Sequence, residues 1–215
     1  MTGGATEGVK EDRENYVHLL NLLRSTIDAS KLLTVTGAAG NWVLDVGFNL
    51  ESIIKLVDFI HVMTYDYFGP WESKWGAYTG PNAPLYNAAP KGYSGKLNVD
   101  FTRRYYSCYT KSPEKLIMGV GFYGRKWENV LPTPVDGKDG LWRIAELGKN
   151  GKYEGSFSPF WEIKDQFEKR SDFQYVFHTG AKIPYLYSPS NRSFIAYENS
   201  ESISEKVGYA KKNVM

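Results

Sequence analysis

The sequence contains a single cysteine, and this scarcity limits how the fold can be held together. Cys108 has no partner for an internal disulfide, so a crosslinked framework of the kind found in small secreted domains is excluded. An excess of charge of one sign is also lacking, because 26 Lys and Arg residues face 24 Asp and Glu residues. The net charge of +2 argues against a nucleic acid or an anionic membrane surface as the partner.

Long apolar runs and clustered metal ligands are lacking as well. No stretch approaches the roughly 20 apolar residues that span a bilayer, and residues 1–8 have no apolar core. We therefore expect neither a membrane segment nor a signal peptide in this sequence. His18, His61 and His178 show no ligand spacing with carboxylates or with Cys108, so no metal site and no cofactor are expected.

Aromatic side chains are present in excess. The 16 Tyr, 11 Phe and 6 Trp residues make up 15% of the 215 residues. Tyrosine and tryptophan offer a flat apolar face with a polar edge, which suits the stacking of a sugar ring. Core or lobe packing explains such residues at least as well as sugar binding, and this alternative applies to Trp42, Trp75, Trp127 and Trp142.

Helical and strand periodicities alternate along the first part of the chain. An apolar stripe predicts a helix over residues 14–26, and Asn49 and Asn98 are each expected to cap a later helix. Strands are predicted at residues 32–36, 57–68 and 116–123. The last two are apolar on both faces, as strands buried in a parallel sheet are. This rhythm predicts a parallel α/β fold.

The rest of the chain departs from that rhythm. Residues 127–187 are rich in Gly, Pro and aromatic residues, which favours an inserted α+β lobe. Residues 202–205 resemble a capping box and predict a last helix. The inner face of the helix after Asn98 is predicted to consist of Phe101, Tyr105, Cys108 and Tyr109.

Polar side chains lie at the predicted carboxyl ends of two strands. Strand alternation places Met63 and Tyr65 on one face, with Asp66 following at the rim. Tyr123 and Arg125 occupy the corresponding end of the next strand. Because ligands bind at the carboxyl ends of parallel strands, these groups are expected to converge. Phenols, a carboxylate and a guanidinium can together bind a polyhydroxylated ligand that bears an amide.

Several short segments carry a family pattern in a fixed order. Residues 63–69 have the sequence M-T-Y-D-Y-F-G, and residues 69–72 have G-P-W-E. Residues 123–125 have Y-G-R, and residues 160–163 have F-W-E-I. In this order and spacing the chain resembles the chitinases and chitinase-like proteins of glycoside hydrolase family 18 over nearly its whole length.

The resemblance implies an α/β fold that contains part of a (β/α)8 TIM barrel, about its fifth to seventh strands with their helices, and a small α+β insertion domain. Residues 1–126 and 200–215 would form the partial barrel, and residues 127–199 the insertion domain. The family's acid-bearing D-x-x-D-x-D-x-E run does not occur in the sequence. The missing N-terminal half of the barrel is therefore an expected partner.

The resemblance also implies an activity and a set of site residues. Family members cleave β-1,4-linked N-acetylglucosamine polymers by substrate-assisted retaining hydrolysis, with a glutamic acid as proton donor. Tyr65 would position the acetamido group. Sugar contacts would come from Met63, Asp66, Trp71, Tyr123, Arg125 and Glu162. Chitin or N-acetylglucosamine oligosaccharides are the implied ligands and an extracellular location is implied, but without the proton donor the chain alone is predicted to be inactive.

Two other interpretations stay open. A catalytically inactive, lectin-type chitinase-like protein would keep the Tyr65 and Asp66 rim and lack the acid. A truncated product without independent function is the third possibility, because three parallel strands leave two sheet edges uncovered. A glutamate closing the D-x-x-D-x-D-x-E run upstream of Thr2 would favour the enzyme over the lectin.

Overall fold

The computed structural model describes residues 8–92, 95–135 and 140–215. Residues 1–7, on which the expected lack of a signal peptide depends, lie outside the described part of the chain. Residues 93–94 and 136–139, which belong to the two predicted domains, lie outside it as well. No helix within the described ranges combines the length and the apolar character needed to cross a membrane.

Helices and strands alternate through the first half of the chain, and strands dominate the second. The helices are α1 (Asp12–Thr26), α2 (Asn41–Gly47), α3 (Leu50–Leu56), α4 (Val99–Thr110), α5 (Phe160–Glu162) and α6 (Ser200–Asn213). The strands are β1 (Thr34–Gly37), β2 (Phe59–Val62), β3 (Leu116–Met118), β4 (Tyr123–Trp127), β5 (Gly155–Pro159), β6 (Gln174–His178), β7 (Ile183–Ser188) and β8 (Ser193–Ala196). Short 3-10 turns at Lys74–Ala77 and Pro113–Lys115 and a π-helical turn at Ile163–Phe167 complete the list.

Strands β1, β2 and β3 form a parallel sheet in that order, as the alternating pattern predicts. Ile60 lies opposite both Val35 and Leu116, and all three side chains are buried beneath the helices. On the other face of the sheet, Thr36 and His61 are exposed. The prediction that β2 is buried on both faces is therefore wrong, since the described helices cover one side of the sheet and leave Thr36 and His61 exposed on the other.

Helix α4 begins where its asparagine predicts, but it buries a different face. The Asn98 side chain accepts the N–H of Phe101 at 2.8 Å, as an N-cap does. The buried side chains of α4 are Val99, Thr102, Tyr106 and Thr110. The predicted inner face, Phe101, Tyr105, Cys108 and Tyr109, is half-buried or exposed.

Hydrogen bonds explain why polar residues occupy the interior of α4. Thr102 donates to the carbonyl of Ala39 at 2.9 Å, and its oxygen lies 2.7 Å from the hydroxyl of Tyr67. The Tyr106 hydroxyl donates to the carbonyl of Ala38 at 2.8 Å. A buried hydroxyl is tolerated when it has a partner, and apolar periodicity alone could not anticipate these carbonyls.

Strands β4 to β8 form an antiparallel sheet in the order β5-β4-β8-β7-β6. Its two faces carry separate apolar clusters, one around Trp127 and Phe194 and the other around Ile163 and Ile195. The predicted strand over residues 116–123 ends at Met118, and Tyr123 begins β4, which pairs with β5 and β8 instead of continuing the parallel sheet. The change of sheet thus falls between β3 and β4, and the domain limits at residues 126 and 199 stay a prediction.

The last helix begins earlier than its predicted capping box. Asn199 is the N-cap of α6: its side chain accepts the N–H of Ser202 at 2.9 Å, while the Ser202 hydroxyl accepts the N–H of Asn199 at 2.9 Å. The reciprocal pair is thus Asn199 with Ser202, and the box predicted at residues 202–205 is wrong in position. Ser202 belongs to the box as its third helical residue because serine can accept as well as donate.

Candidate functional site

Asp66 is held in a left-handed backbone conformation just beyond the end of β2. Its φ of 59° is unusual for a residue other than glycine, although aspartate tolerates it better than most. The Asp66 N–H donates to Oδ1 of Asn82 at 3.1 Å, and Asn82 is fully buried. Thr64 ties the same segment to β3 by donating to the Gly119 carbonyl at 2.7 Å. These bonds fix the direction in which the Asp66 carboxylate points.

One oxygen of Asp66 receives hydrogen bonds from two side chains of β4. The Tyr123 hydroxyl donates to Oδ1 at 2.7 Å, and Arg125 donates to the same atom from Nε at 2.8 Å. Nη2 of Arg125 forms an ion pair with the same oxygen at 2.7 Å. Tyr123 and Arg125 share a face of β4 because Gly124 alone separates them. The structure thus brings these three residues together as the sequence predicts, while their role in sugar binding stays a prediction.

Burial governs the protonation of the Tyr123 hydroxyl. Loss of water contact raises the pKa of Tyr123 above its ordinary value, and the hydrogen bond to the Asp66 carboxylate and its negative charge raise it further. The phenol therefore keeps its proton at neutral pH and acts as a donor. Both donors bind Oδ1 of Asp66, and no described residue donates a hydrogen bond to Oδ2.

Tyr65 stands next to this cluster with its hydroxyl available. Its ring meets the Tyr123 ring edge to face, with the centroids 6.1 Å apart and the planes at 76°. Gly119 makes room for it, because a Cβ there would lie 3.0 Å from the Tyr65 ring and 2.5 Å from the Val62 carbonyl oxygen. None of the described residues is hydrogen-bonded to the Tyr65 hydroxyl, so this group can donate to a ligand.

An aromatic groove of about 650 Å³ opens beside Tyr65 and Asp66. Met63 lies in its wall with 38% of its surface exposed. Trp42, at the start of α2, and Trp75 also line it and are exposed by 59% and 56%. Of the four tryptophans whose role the sequence left open, these two face the groove, while Trp127 and Trp142 are buried in the core of the antiparallel sheet.

Trp71 connects the groove to the Asp66 cluster. It lines the groove, and its ring lies 4.6 Å from Cζ of Arg125, within cation–π range. Gly69 allows this position, because a Cβ there would lie 2.4 Å from the indole ring. Gly40 stands in the same relation to Trp42, with a distance of 2.6 Å. The absence of a side chain at Gly69 and at Gly40 thus lets each indole lie against the backbone.

Glu162 lies near the cluster but does not join it. Helix α5 starts at Phe160, whose N–H donates to the Phe122 carbonyl at 2.9 Å, directly beside Tyr123. Among the described residues, no hydrogen bond or ion pair links Glu162 to Asp66, and Glu162 does not line the groove. Its proposed contact with a ligand stays a prediction.

Sequence reasoning missed two residues that shape the site. Asn82 holds both chain segments, since its side chain accepts from Asp66 and donates to the Tyr123 carbonyl at 3.4 Å. Phe157 lies opposite Arg125 on β5 and is 62% exposed. The pairing of β4 with β5 is what places Phe157 here, and no local pattern predicts that register.

Within the described ranges, no group of three or more His, Cys, Asp and Glu side chains is placed to hold a metal ion.

Comparison with known proteins agrees with this geometry. The family model described as glycosyl hydrolases family 18 matches residues 3–215. Chitinase A1 of Niallia circulans is 30% identical over 98% of this chain and 31% of its own length. The structure of chitinase ChiA74 from Bacillus thuringiensis has a TM-score of 0.85 at 26% identity and covers 99% of this chain and 36% of its own. The structure of the Ostrinia furnacalis Group IV chitinase in complex with allosamidin has a TM-score of 0.79 at 30% identity, and it covers 98% of this chain and 55% of its own.

The chain spans about a quarter to a third of the length of the first curated relatives that it matches. Its solved relatives indicate a (β/α)8 barrel family. The described residues form a mixed α/β structure with one parallel and one antiparallel sheet, and the partial barrel stays a prediction. With a family model covering nearly all of it and chitinases as its relatives, this chain belongs to glycosyl hydrolases family 18.

Proposed function

We propose that this chain carries the sugar-positioning part of a chitinase-type glycosidase site and binds β-1,4-linked N-acetylglucosamine oligosaccharides. The observation that carries the proposal is the sharing of one Asp66 oxygen by Tyr123 and Arg125, next to the available Tyr65 hydroxyl. Such a site offers donors and an acceptor at fixed positions beside an aromatic wall, which is how sugars are held in proteins. A chitinase solved with allosamidin is among the similar structures, which supports this ligand class.

Each side chain has a distinct task in this proposal. Tyr65 donates its hydroxyl to the acetamido oxygen of the sugar, and Met63 forms the apolar floor beneath the acetamido methyl. The second oxygen of Asp66 accepts from a sugar hydroxyl or amide. Trp71 stacks on a pyranose ring, with Arg125 holding the indole in place. Pinning the acetamido group in this way prepares it for attack on the anomeric carbon.

Hydrolysis itself needs a proton donor for the bridging oxygen. In substrate-assisted retaining hydrolysis the acetamido oxygen forms a bond to the anomeric carbon while the protonated glycosidic oxygen leaves. The 215 residues contain no D-x-x-D-x-D-x-E run to supply that acid. A general acid contributes about 10²–10⁴-fold to such rates. We therefore expect the chain by itself to bind chitin oligosaccharides without cleaving them.

Calorimetric titration of the chain with chitin hexasaccharide tests the proposal. Asp66→Ala removes the acceptor that orients Tyr123 and Arg125, and we expect its affinity to fall by about tenfold or more, since hydrogen bonds to charged groups contribute about 1.5–3 kcal/mol. Asp165→Ala is the matched control, because Asp165 forms an exposed ion pair with Lys169 on the surface. Equal affinities of the two variants would contradict the proposal.

A lectin-type chitinase-like protein is the second candidate. The groups gathered at Asp66 and in the groove are all of the binding type, and none of them is placed as a general acid. Both candidates predict that the purified chain leaves chitin hexasaccharide intact, and mass spectrometry of the incubated mixture tests this shared expectation. Release of shorter sugars would show that this chain carries a proton donor of its own and would contradict both the lectin and the expected inactivity of the chain alone.

A further inference from the structure

The site has an aromatic extension along the antiparallel sheet that the family motifs of this sequence do not include. Strand β5 pairs with β4 so that Phe157 lies directly opposite Arg125 and Pro159 opposite Tyr123. Residues opposite each other in an antiparallel pair point to the same face. Phe157 therefore projects on the face that carries the two donors to Asp66.

Contacts confirm this direction of the Phe157 side chain. Its ring meets the Tyr123 ring edge to face, with the centroids 6.2 Å apart and the planes at 85°. Tyr123 thus has Tyr65 on one side and Phe157 on the other, and its own hydroxyl is bound to Asp66. One chain of ring contacts runs from the groove to the edge of the sheet.

The exposure of Phe157 is not explained by packing. Its side chain is 62% exposed on β5, the edge strand of the sheet, although its neighbour Arg125 is mostly buried. The same face is covered further along, where Pro70 lies over Gly155, because a Cβ at Gly155 would come within 2.6 Å of it. The open part of the face thus begins where the loop carrying Pro70 and Trp71 ends.

We propose that Phe157 is a stacking platform for an additional N-acetylglucosamine residue, so that the binding groove continues from Trp71 across Arg125 onto strand β5. This inference rests on the proposed function and extends it to longer oligosaccharides. A pyranose ring has an apolar face of C–H groups that lies flat on an aromatic ring. The hydroxyls at its edge then lie close to Arg125, which supplies the polar contacts that a phenylalanine lacks.

The continuity of the site identifies the occupant as the same polymer. Trp71 contacts Arg125, and Arg125 in turn lies opposite Phe157 on β5. An unbranched β-1,4-linked chain that stacks on Trp71 therefore has Phe157 as its next aromatic surface. The platform is expected to matter only for oligosaccharides long enough to reach it.

Titration of the chain with the chitin disaccharide and with the hexasaccharide tests the platform. We expect Phe157→Ala to weaken the hexasaccharide by about three- to tenfold, the range of an aromatic contact, and to leave the disaccharide unchanged. Phe157→Tyr keeps the ring and should bind both as the original chain does. Tyr175→Ala is the matched control, since Tyr175 is an exposed aromatic residue on β6, the opposite edge of the same sheet.

The outcomes separate this inference from the proposed function. If Phe157→Ala binds the hexasaccharide as tightly as Tyr175→Ala does, while Asp66→Ala weakens it, the platform is wrong and the proposed site stands. If the unaltered chain binds neither oligosaccharide, both are wrong. An equal loss for the disaccharide and the hexasaccharide would also overturn the platform, because it would place Phe157 in the part of the site that every ligand occupies.

Discussion

The hydroxyl of Tyr123 lies 2.7 Å from Oδ1 of Asp66, although 57 positions separate the two residues in the sequence. Asp66 follows a strand of the parallel sheet, and Tyr123 begins a strand of the antiparallel sheet. Their hydrogen bond therefore joins the two sheets beside the aromatic groove, which Asp66 lines. The ion pair between Arg125 and Asp66 strengthens the same connection.

Removal of the Tyr123 hydroxyl should weaken this connection without emptying the site. In Tyr123→Phe the ring contacts to Tyr65 and Phe157 remain, and Arg125 still binds Asp66. We expect oligosaccharide affinity to fall by about threefold to tenfold, which is the effect of one lost hydrogen bond of about 1 kcal/mol. Calorimetry on Tyr123→Phe measures it, with Tyr86→Phe as the control, since Tyr86 is 40% exposed and does not line the groove. An unchanged affinity in Tyr123→Phe would show that the hydroxyl has no orienting role.

The titration of Tyr123 should report its burial and its carboxylate neighbour. Its folded pKa is raised above the ordinary value of 10.0, so the folded chain keeps a proton that the unfolded chain releases. The stabilising contribution of this proton is therefore complete below pH 10.0, the ordinary pKa of tyrosine, and is lost as the pH rises from there through the folded pKa. Nuclear magnetic resonance of labelled tyrosine can follow this ring. In Asp66→Asn we expect a lower pKa that still exceeds 10.0, because burial is the larger cause. A pKa at or below 10.0 in the unaltered chain would contradict this description.

Gly69 should be essential to the position of Trp71. A Cβ in Gly69→Ala would lie 2.4 Å from the indole ring, so the ring must move away from Arg125 and the groove must change shape. We expect weaker oligosaccharide binding and a shifted tryptophan fluorescence spectrum. Gly208→Ala is the matched control, since no atom lies within 4 Å of its Cβ in α6. That variant should bind normally and gain about 0.5–1 kcal/mol of stability. Normal binding by Gly69→Ala would show that Trp71 does not contact the sugar.

The buried ion pair between Glu198 and Lys206 should be the most sensitive point for stability. Glu198 is 4% exposed and Lys206 is 2% exposed. The Ser202 hydroxyl donates to the second carboxylate oxygen of Glu198 at 2.7 Å. Burial raises the pKa of Glu198 and lowers that of Lys206, which opposes their attraction. Removing one partner leaves a buried charge, so Lys206→Met should cost about 3–5 kcal/mol in urea denaturation.

Two further variants complete that test. Glu198→Leu combined with Lys206→Met should cost less than Lys206→Met alone, because no charge then remains unpaired. Lys169→Ala, which breaks the exposed pair with Asp165, should change the free energy of unfolding by less than about 1 kcal/mol. A cost of Lys206→Met as small as that of Lys169→Ala would refute the importance of the buried pair.

The three parallel strands and the starts of α3 and α4 could be predicted because they depend on local chemistry. The Asn49 and Asn98 caps bind backbone N–H groups three residues ahead, a distance that the sequence shows directly. The convergence of Asp66 with Tyr123 and Arg125 was also predicted, but from the carboxyl ends of parallel strands, which meet at one edge. The structure reaches it differently, because Asp66 follows β2 of the parallel sheet whereas Tyr123 and Arg125 lie on β4 of the antiparallel sheet.

The remaining features depend on partners that are distant in the sequence. The buried face of α4 is decided by the carbonyls of Ala38 and Ala39, which accept from Tyr106 and Thr102. Phe157 reaches the site only through the register of β4 with β5. In both cases the sequence supplies the residue, while the deciding atom belongs to a segment that periodicity does not connect to it.

The central claim is that Tyr65, Asp66 and Tyr123 hold the sugar, and resonance titration of tyrosine rings tests it most directly. Chitin hexasaccharide is added to the chain labelled at tyrosine, with the signals assigned by single Tyr→Phe variants. We predict saturable shifts of the Tyr65 and Tyr123 signals and none for Tyr175, which lies on the far edge strand. Shifts confined to Tyr175 and other tyrosines away from the groove, or no shifts at any concentration, would contradict the account.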